Sequence, residues 1–409
     1  MKVAVVRETY PGERRVALVP AVVPSLTKAG WQLLLEAGAG EAAGFSDADY
    51  LAKTTAESKD VEIVADRKTA FEQADVVLQV RTLGTNYEAG RGDLELLRAG
   101  QVVIGCCDPL GNPQAVKELA DQRTTLFAME MIPRITRAQS MDVLSSMATI
   151  AGYKAVLQAA DQLPKLFPML MTAAGTLVAA KVLVIGAGVA GLQAIASARR
   201  LGAVVQAYDV RAVVKEQIES LGAKFVELKL DTSGAEDKGG YAKQLSDEQV
   251  KMQQAQLADI IAECDVCITT AAIPGRPSPL LVTADAVKKM RSGSVIVDLA
   301  AEQGGNCELS QADQTVVEQG VTILGPTNLP SDVPQHASQM FAKNLATFLL
   351  HMTKEGQFEM DLKDEIIRET LAAKDGQVQN ERLRDMLHLG PLVLPDATPP
   401  DDSLAGAES

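Results

Sequence analysis

Three glycines, Gly186, Gly188 and Gly191, have the G-x-G-x-x-G spacing that binds the phosphates of a dinucleotide when a strand precedes it and a helix follows. Here the apolar segment KVLVIG precedes the glycines, and an alanine-rich segment of helical character follows them. The first glycine permits a tight turn, the second lets the backbone approach a pyrophosphate, and the third lets the helix pack closely on the strand. The N-terminus of that helix would offer free N–H groups and a positive dipole end to the phosphates.

Asp209 ends the next apolar segment, about 20 residues after the glycines. A carboxylate at this position accepts hydrogen bonds from a ribose 2′-hydroxyl and repels a 2′-phosphate, which favours NAD(H) over NADP(H). Arg211 lies two positions on and weakens that preference, because an arginine near this carboxylate can accommodate a 2′-phosphate. The residues alone leave open a glycine turn that binds no ligand.

A second candidate for chemistry is the polar junction MIPRITRAQSMDVLSSM at residues 131–147, between segments that are typical of buried strand and buried helix. Its hydrogen-bonding side chains are Arg134, Arg137, Gln139, Ser140, Asp142, Ser145 and Ser146. One interpretation is a site that orients a ligand. The other is an interdomain hinge whose polar groups cap a helix predicted over about 140–166, with Ser140 as the N-cap.

Arg15, in the stretch RETYPGERRVALVP, has no glycine triplet near it. It either clamps an acidic substrate or is simply solvated, and the sequence favours neither interpretation.

Alternating apolar and helical segments predict an α/β fold with two doubly wound parallel-sheet (Rossmann-like) domains that are linked by long helices. We expect a discontinuous N-terminal domain at 1–135 plus 326–390, because the helix from residue 340 onward can return to it. The dinucleotide domain is predicted at 136–325 and a disordered tail at 391–409. Residues 228–248 form a long polar insertion, of the kind that is usually functional or mobile.

The bulk composition excludes several classes of protein. A net charge of −14 argues against nucleic acid and against a basic face on anionic lipid. Five cysteines in a chain of 409 residues do not suggest a disulfide framework, and the pair Cys264 and Cys267 is predicted to be buried thiols without a metal. The chain starts without a signal peptide and has no run of about 18 apolar residues, which predicts a cytoplasmic protein.

Three stretches together resemble the alanine dehydrogenase and pyridine nucleotide transhydrogenase superfamily. They are RETYPGERRVALVP, MIPRITRAQSMDVLSSM with the following AGY, and TAAGTLVAAKVLVIGAGVAGLQAIASARRLGA. Within the superfamily, RAQSMDVLSS, GGYAK and VDLAAEQGGNCELS resemble the soluble NAD(H)-binding part of proton-translocating transhydrogenases. The resemblance covers nearly the whole chain.

The resemblance implies an enzyme that passes hydride directly between NAD(H) on this chain and NADP(H) on a partner component. Proton translocation would be coupled to this transfer by membrane-spanning subunits on another polypeptide. The chain would then be cytoplasmic and peripherally attached to the inner membrane through those subunits, and it would form a homodimer as its relatives do.

The resemblance also assigns roles to single residues. Arg134, Gln139 and Asp142 match a polar loop around the nicotinamide and form the predicted catalytic set. Tyr241 and Gly240 match the tip of a mobile loop that closes over the nucleotide, although Leu245 stands where relatives often have Met. Motif and resemblance together predict cofactor binding by Arg134, Gln139, Asp142, Ser145, Gly186, Gly188, Val189, Gly191, Tyr208, Asp209, Val210, Gly240, Tyr241 and Ala271.

Hydride transfer between two nicotinamides requires positioning groups and no general acid or base. The rival is an alanine dehydrogenase-like enzyme, which needs a proton acceptor, most often His. No His occurs before residue 336, and Gln79 and Arg81 replace the basic pattern of that class, so only Asp142 or Asp108 could serve as the base. A non-catalytic NAD-sensing module is a further alternative.

Overall fold

Two sheets and the helices that cover them form the part of the chain that the computed structural model describes, residues 1–54, 60–229, 246–273 and 275–392. Most of the predicted tail and the centre of the polar insertion lie outside these ranges. The strands are β1 (Lys2–Val5), β2 (Gln32–Glu36), β3 (Val61–Val64), β4 (Val76–Arg81), β5 (Val102–Cys106), β6 (Thr125–Ala128), β7 (Leu170–Thr172), β8 (Gly175–Leu177), β9 (Lys181–Ile185), β10 (Val204–Tyr208), β11 (Lys224–Phe225), β12 (Val266–Thr269), β13 (Val295–Asp298), β14 (Thr315–Glu318), β15 (Val321–Leu324), β16 (Thr353–Lys354), β17 (Gln357–Phe358), β18 (Leu371–Lys374) and β19 (Gln377–Val378).

The helices alternate with these strands. They are α1 (Val23–Lys28), α2 (Asp47–Leu51), α3 (Arg67–Gln73), α4 (Pro113–Asp121), α5 (Val143–Gln162), α6 (Val189–Arg200), α7 (Lys215–Ser220), α8 (Asp247–Ala262), α9 (Ala284–Lys288), α10 (Pro334–His351), α11 (Glu365–Thr370) and α12 (Glu381–Met386). No helix in the described ranges has both the length and the apolar character that crossing a bilayer requires.

The first sheet has the order β3-β2-β1-β4-β5-β6-β18-β19. Strands β1 to β6 are parallel and follow the doubly wound order 3-2-1-4-5-6. Strand β18 then pairs antiparallel with β6, so the chain returns to this sheet after the second one. On α10, Phe341 and Phe348 are buried in the same core as Val3 and Leu78. This return supports the discontinuous first domain, whose boundaries we retain as a proposal.

The second sheet has the order β11-β10-β9-β12-β13-β15-β14. Its first six strands are again parallel in the order 3-2-1-4-5-6, which confirms the predicted α/β fold with two doubly wound sheets. Strand β14 is antiparallel and lies at the edge. The sequence pattern did not predict β14, because its half-exposed residues lack the continuous apolar character of a central strand.

Helix α5 connects the two sheets and packs against both α6 and α10. It runs from Val143 to Gln162, which is shorter at both ends than the predicted 140–166. Leu163, just before Pro164, already has extended backbone angles, because a proline disfavours the helical conformation in the residue that precedes it.

Candidate functional site

The glycine turn at the carboxyl end of β9 has the geometry of a phosphate loop. Gly186 has a φ of +97°, and its N–H donates to the carbonyl of Tyr208 at 2.8 Å. A Cβ on Gly191 would lie 1.8 Å from the carbonyl oxygen of Gly186, so only glycine permits this close packing. A Cβ on Gly188 would meet nothing within 4 Å, which leaves open space in front of the N-terminus of α6. The turn therefore fits the pyrophosphate of a dinucleotide.

Asp209 and Arg211 form one unit at the end of β10. The Nε of Arg211 donates to Asp209 Oδ1 at 2.9 Å, and its Nη2 donates to Oδ2 at 2.8 Å. The N–H of Ala187, inside the glycine turn, donates to the same Oδ2 at 2.7 Å. The carboxylate therefore braces the phosphate loop, and the arginine that could have accepted a 2′-phosphate is turned toward Asp209.

Tyr208, Val210 and Val189 flank this unit in different ways. The ring of Tyr208 lies in the core on one face of the second sheet, and its hydroxyl accepts a hydrogen bond from Gln253 at 2.8 Å. Its side chain is therefore a core residue, and its contribution to a nucleotide site is confined to the backbone. Val210 is half-buried, and Val189 is exposed at the first position of α6.

Ala271 lies just after β12 and is held by a residue to which the sequence motifs assigned no role. The buried side chain of Asn306 accepts from the N–H of Ala271 at 2.9 Å and donates to its carbonyl at 2.8 Å. Asp298, at the end of β13, in turn accepts from the N–H of Asn306 at 2.8 Å. The signal was present in VDLAAEQGGNCELS, which the resemblance singled out without assigning a role to these side chains.

The polar junction forms a 3-10 helix, Thr136–Met141, followed at once by α5. Its apolar residues Ala138 and Met141 are buried in the first core, whereas Arg134 and Gln139 are exposed. This arrangement turns the hydrogen-bonding side chains of the junction away from the core.

Asp142, and not Ser140, is the N-cap of α5. Its Oδ1 accepts from the N–H of Ser145 at 2.9 Å, and its Oδ2 accepts from the Ser145 hydroxyl at 2.6 Å. The prediction of Ser140 as the cap was wrong, because Ser140 still belongs to the preceding 3-10 helix. Capping and ligand orientation are therefore compatible, since one cap residue, Asp142, also belongs to the predicted catalytic set.

One helix ties the polar junction to the glycine turn. A Cβ on Gly152 of α5 would lie 2.1 Å from the carbonyl oxygen of Ala190, in the first turn of α6. Asp142 precedes Gly152 by ten residues, a distance of about 15 Å along the helix axis. The positions of Asp142 and of the phosphate loop are therefore fixed relative to each other.

Arg15 is neither solvated nor free to clamp a substrate, so both interpretations of it were wrong. It is 7% exposed, and its Nε and Nη2 donate to the two carboxylate oxygens of Glu13 at 2.7 and 2.6 Å. Burial disfavours the charged form of Glu13, yet its hydrogen bond and ion pair with Arg15 hold the pKa of its carboxyl well below its usual range. Arg81 Nε adds a further contact to the same carboxylate at 2.9 Å.

Other titratable groups of the first sheet lie at the ends of β1 and β6. Burial, and next the charge of Glu13, raise the pKa of Glu8 to about 8, and burial raises that of Glu130 to about 7. Glu130 Oε1 accepts from the N–H of Asp108 at 2.8 Å, whereas its Oε2 is buried without a hydrogen bond to the described residues. Neither shift has a signal in the sequence, because both depend on burial.

Cys264 and Cys267 are buried free thiols, as predicted. Burial raises the pKa of Cys264 to about 12, which suits a core residue and not a reactive one. Gly240, Tyr241 and Leu245, which the resemblance placed on a mobile loop, lie outside the described residues.

Comparison with known families accounts for both halves of the chain. The family described as "Alanine dehydrogenase/PNT, N-terminal domain" matches residues 4–151, and "Alanine dehydrogenase/PNT, C-terminal domain" matches residues 155–381. The chain belongs to the alanine dehydrogenase/PNT family. The family resemblance inferred from the sequence motifs is therefore confirmed.

Within the alanine dehydrogenase/PNT family, this member is more similar to transhydrogenase chains. It is 46% identical over 386 residues to the first part of "NAD(P) transhydrogenase subunit alpha" of Rhodospirillum rubrum, covering 94% of this chain and 99% of that one. A Rickettsia prowazekii protein of the same name is 43% identical, with coverage of 94% and 98%. "Alanine dehydrogenase" of Bacillus subtilis is 28% identical over both full lengths.

Solved structures of the alanine dehydrogenase/PNT family give the same ranking. "The crystal structure of transhydrogenase from Sinorhizobium meliloti" has a TM-score of 0.80 at 43% identity, and covers 92% of this chain and all of that one. "L-alanine dehydrogenase" has a TM-score of 0.77 at 25% identity, with coverage of 95% and 99%. The chain therefore falls on the transhydrogenase side of the family.

Proposed function

We propose that this chain is the NAD(H)-binding component of a proton-translocating transhydrogenase. Hydride passes directly between NAD(H) on this chain and NADP(H) on a partner component, and membrane subunits couple the transfer to proton movement. The observation that carries the proposal is the contact of Gly152 with Ala190, which fixes Asp142 and the exposed Gln139 at a set distance from the phosphate loop.

The residues of the polar junction act by positioning. Bound nicotinamide supplies the hydride chemistry, so the protein needs no acid or base at this point. Gln139 and Asp142 would hydrogen-bond the carboxamide and ribose and turn the ring, and Arg134 would steady them. Ser145 holds the carboxylate of Asp142 in one orientation through two hydrogen bonds. Such alignment of the reacting atoms yields large effective molarities.

The preference for NAD(H) rests on Asp209. Its carboxylate can accept from a ribose hydroxyl, and its ion pair with Arg211 occupies the cation that would otherwise favour a 2′-phosphate. NADP(H) then binds the partner component. Gly240 and Tyr241 would close over the nucleotide, a role that rests on the family resemblance.

A homodimer is also proposed. The hairpin of β7 and β8 projects apolar side chains into solvent, with Met171 80% exposed and Val178 73% exposed. Apolar groups concentrated on one exposed hairpin mark an interaction surface. We propose a second copy of this chain as the occupant. Sedimentation of Met171→Asp should give a monomer, whereas Val317→Asp, at a 64% exposed site on the edge strand β14, should sediment like the unsubstituted protein.

Attachment to the cytoplasmic face of the inner membrane would come from other subunits. The relatives are named as belonging to an alpha subunit, which implies further subunits in those proteins.

An alanine dehydrogenase-like activity is the alternative, and Glu130 is the observation that favours it. A buried carboxyl with a pKa of about 7 could act as a proton acceptor near neutral pH. Against it, Arg15 and Arg81 are both paired with Glu13, so neither offers its full charge to a substrate carboxylate.

The deciding experiment mixes this protein with a purified NADP(H)-binding component of a transhydrogenase. Hydride transfer from NADPH to an NAD analogue should be seen on rapid mixing. In parallel, the protein alone is given NADH, pyruvate and ammonium, and no turnover is expected. Turnover of pyruvate without transfer between the two nucleotides would replace the proposal with the alternative.

A further inference from the structure

Helix α10 has one polar side chain on a face that is otherwise apolar. Its neighbours Phe341, Leu345 and Phe348 are fully buried in the first core, and Asn344 beside them is only 5% exposed. The Nδ2 of Asn344 donates to the carbonyl of Ser140 at 2.8 Å. Ser140 directly follows Gln139, so this bond reaches the polar junction at the point where its orienting side chains lie.

The other polar atom of Asn344 is left unsatisfied. Its Oδ1 is buried and has no hydrogen-bond partner among the described residues, which is an unfavourable arrangement. A leucine of similar size would avoid that cost, but it would leave the carbonyl of Ser140 without its donor. The amide is therefore explained by what it does for Ser140 and not by the packing of α10.

A second polar contact holds the same 3-10 helix from the returning part of the chain. The Nη1 of Arg137 donates to Asp364 Oδ2 at 3.1 Å. Asp364 is itself fixed, because its Oδ1 accepts from the N–H of Ile366 at 2.8 Å as the N-cap of α11. His351 Nε2 lies 3.3 Å from Oδ2, without the alignment of a hydrogen bond.

These contacts complement the apolar anchors of the 3-10 helix. Ala138 and Met141 are three positions apart and fix how deeply it sits in the core. Two apolar contacts on one face still allow the helix to roll or slide. Polar bonds at Arg137 and Ser140, on either side of the buried Ala138, oppose both movements.

We propose that Asn344 and Asp364 are positioning residues, which hold the helix Thr136–Met141 so that Gln139 and Asp142 face the nucleotide in the orientation that hydride transfer needs. The inference rests on the proposed function and extends it to the segment that returns to the first sheet. Neither residue belongs to a recognisable sequence motif, because each acts through the backbone or side chain of another.

The first test uses Asn344→Leu with Ser338→Ala as its matched control. Ser338 is also buried on α10, and its hydroxyl accepts from the N–H of Val16 at 3.0 Å, so its loss removes a similar bond away from the junction. In nucleotide-free protein, amide hydrogen exchange over residues 136–142 should become faster in Asn344→Leu only. Mixed with the NADP(H) component, Asn344→Leu should transfer hydride about tenfold more slowly, with NADH affinity within about twofold.

The second test uses Asp364→Asn, which keeps an acceptor for the cap of α11 and removes the charge that pairs with Arg137. It remains informative if Asn344→Leu does not fold. Both variants should show a larger deuterium isotope effect with deuterated NADPH, because the hydride step becomes rate-limiting. Unchanged exchange and unchanged transfer in both variants overturn the inference alone, as does an equal loss in Ser338→Ala. Absence of transfer in the unsubstituted protein overturns the proposed function as well.

Discussion

Gly152 of α5 lies so close to Ala190 of α6 that a Cβ on the glycine would come within 2.1 Å of the alanine carbonyl oxygen. The contact joins the helix capped by Asp142 to the helix that begins in the glycine turn. The atom that such a Cβ would meet belongs to the backbone, so the neighbour cannot simply rotate away. The spacing between the polar junction and the phosphate loop therefore depends on a glycine in the middle of a long helix.

Gly152→Ala should lower both stability and NADH affinity. Alanine favours the helix by about 1 kcal/mol, but the contact with the carbonyl forces α5 and α6 apart and outweighs that gain. Thermal unfolding and NADH titration measure the two effects. Gly92→Ala is the control, because a Cβ there would meet nothing within 4 Å. A Gly152→Ala protein with unchanged Tm and affinity would contradict the role of this contact.

Asp209→Ala should weaken NADH binding by about 1–3 kcal/mol, through loss of the ribose hydrogen bonds. The same change removes the carboxylate that pairs with Arg211, so the affinity for NADPH relative to NADH should rise. Equilibrium dialysis with both nucleotides gives both quantities. Asp285→Ala removes an exposed ion pair with Lys288 and should change neither. Unaltered affinity in Asp209→Ala would count against the fingerprint assignment.

Gln139→Ala should leave NADH affinity nearly intact and slow hydride transfer. Its exposed amide is proposed to turn the nicotinamide ring and not to supply most of the binding energy. Rapid mixing with the NADP(H) component measures the transfer rate. Thr136→Ala, an exposed position on the same 3-10 helix, is the control. Equal rates for the Gln139→Ala and unsubstituted proteins would refute the orienting role.

Glu130→Gln should flatten the dependence of stability on pH between about 4.5 and 7. Burial raises the pKa of Glu130 from 4.5 to about 7 in the folded protein, so folding favours the protonated acid. The stability that this contributes is complete below pH 4.5 and is lost as the pH rises to 7. Urea unfolding at pH 5 and pH 7 measures the difference. Glu62→Gln, at an exposed site, should retain the slope of the unsubstituted protein.

The glycine turn could be predicted from the sequence because its requirements are local. A strand, three spaced glycines, a helix and an acidic residue are all encoded within about 30 consecutive positions, and the structure brings them together as expected. The alternation of apolar strands with helical segments likewise predicted two doubly wound sheets. Strand β14 and the short hairpins were missed, since their exposed or brief segments have no periodicity to detect.

The amino-acid sequence by itself determined the fold class, the phosphate loop and the family, since each depends on neighbouring residues and their spacing. Only the tertiary structure decided that Arg15 is neutralised within a cluster that includes Asn328, and that Asn344 reaches Ser140. Those partners lie 313 and 204 positions apart, and it is the return of the chain to the first sheet that brings them together. Burial and ion pairing follow from that topology, so the charges that remain available for chemistry could not be read from the residues alone.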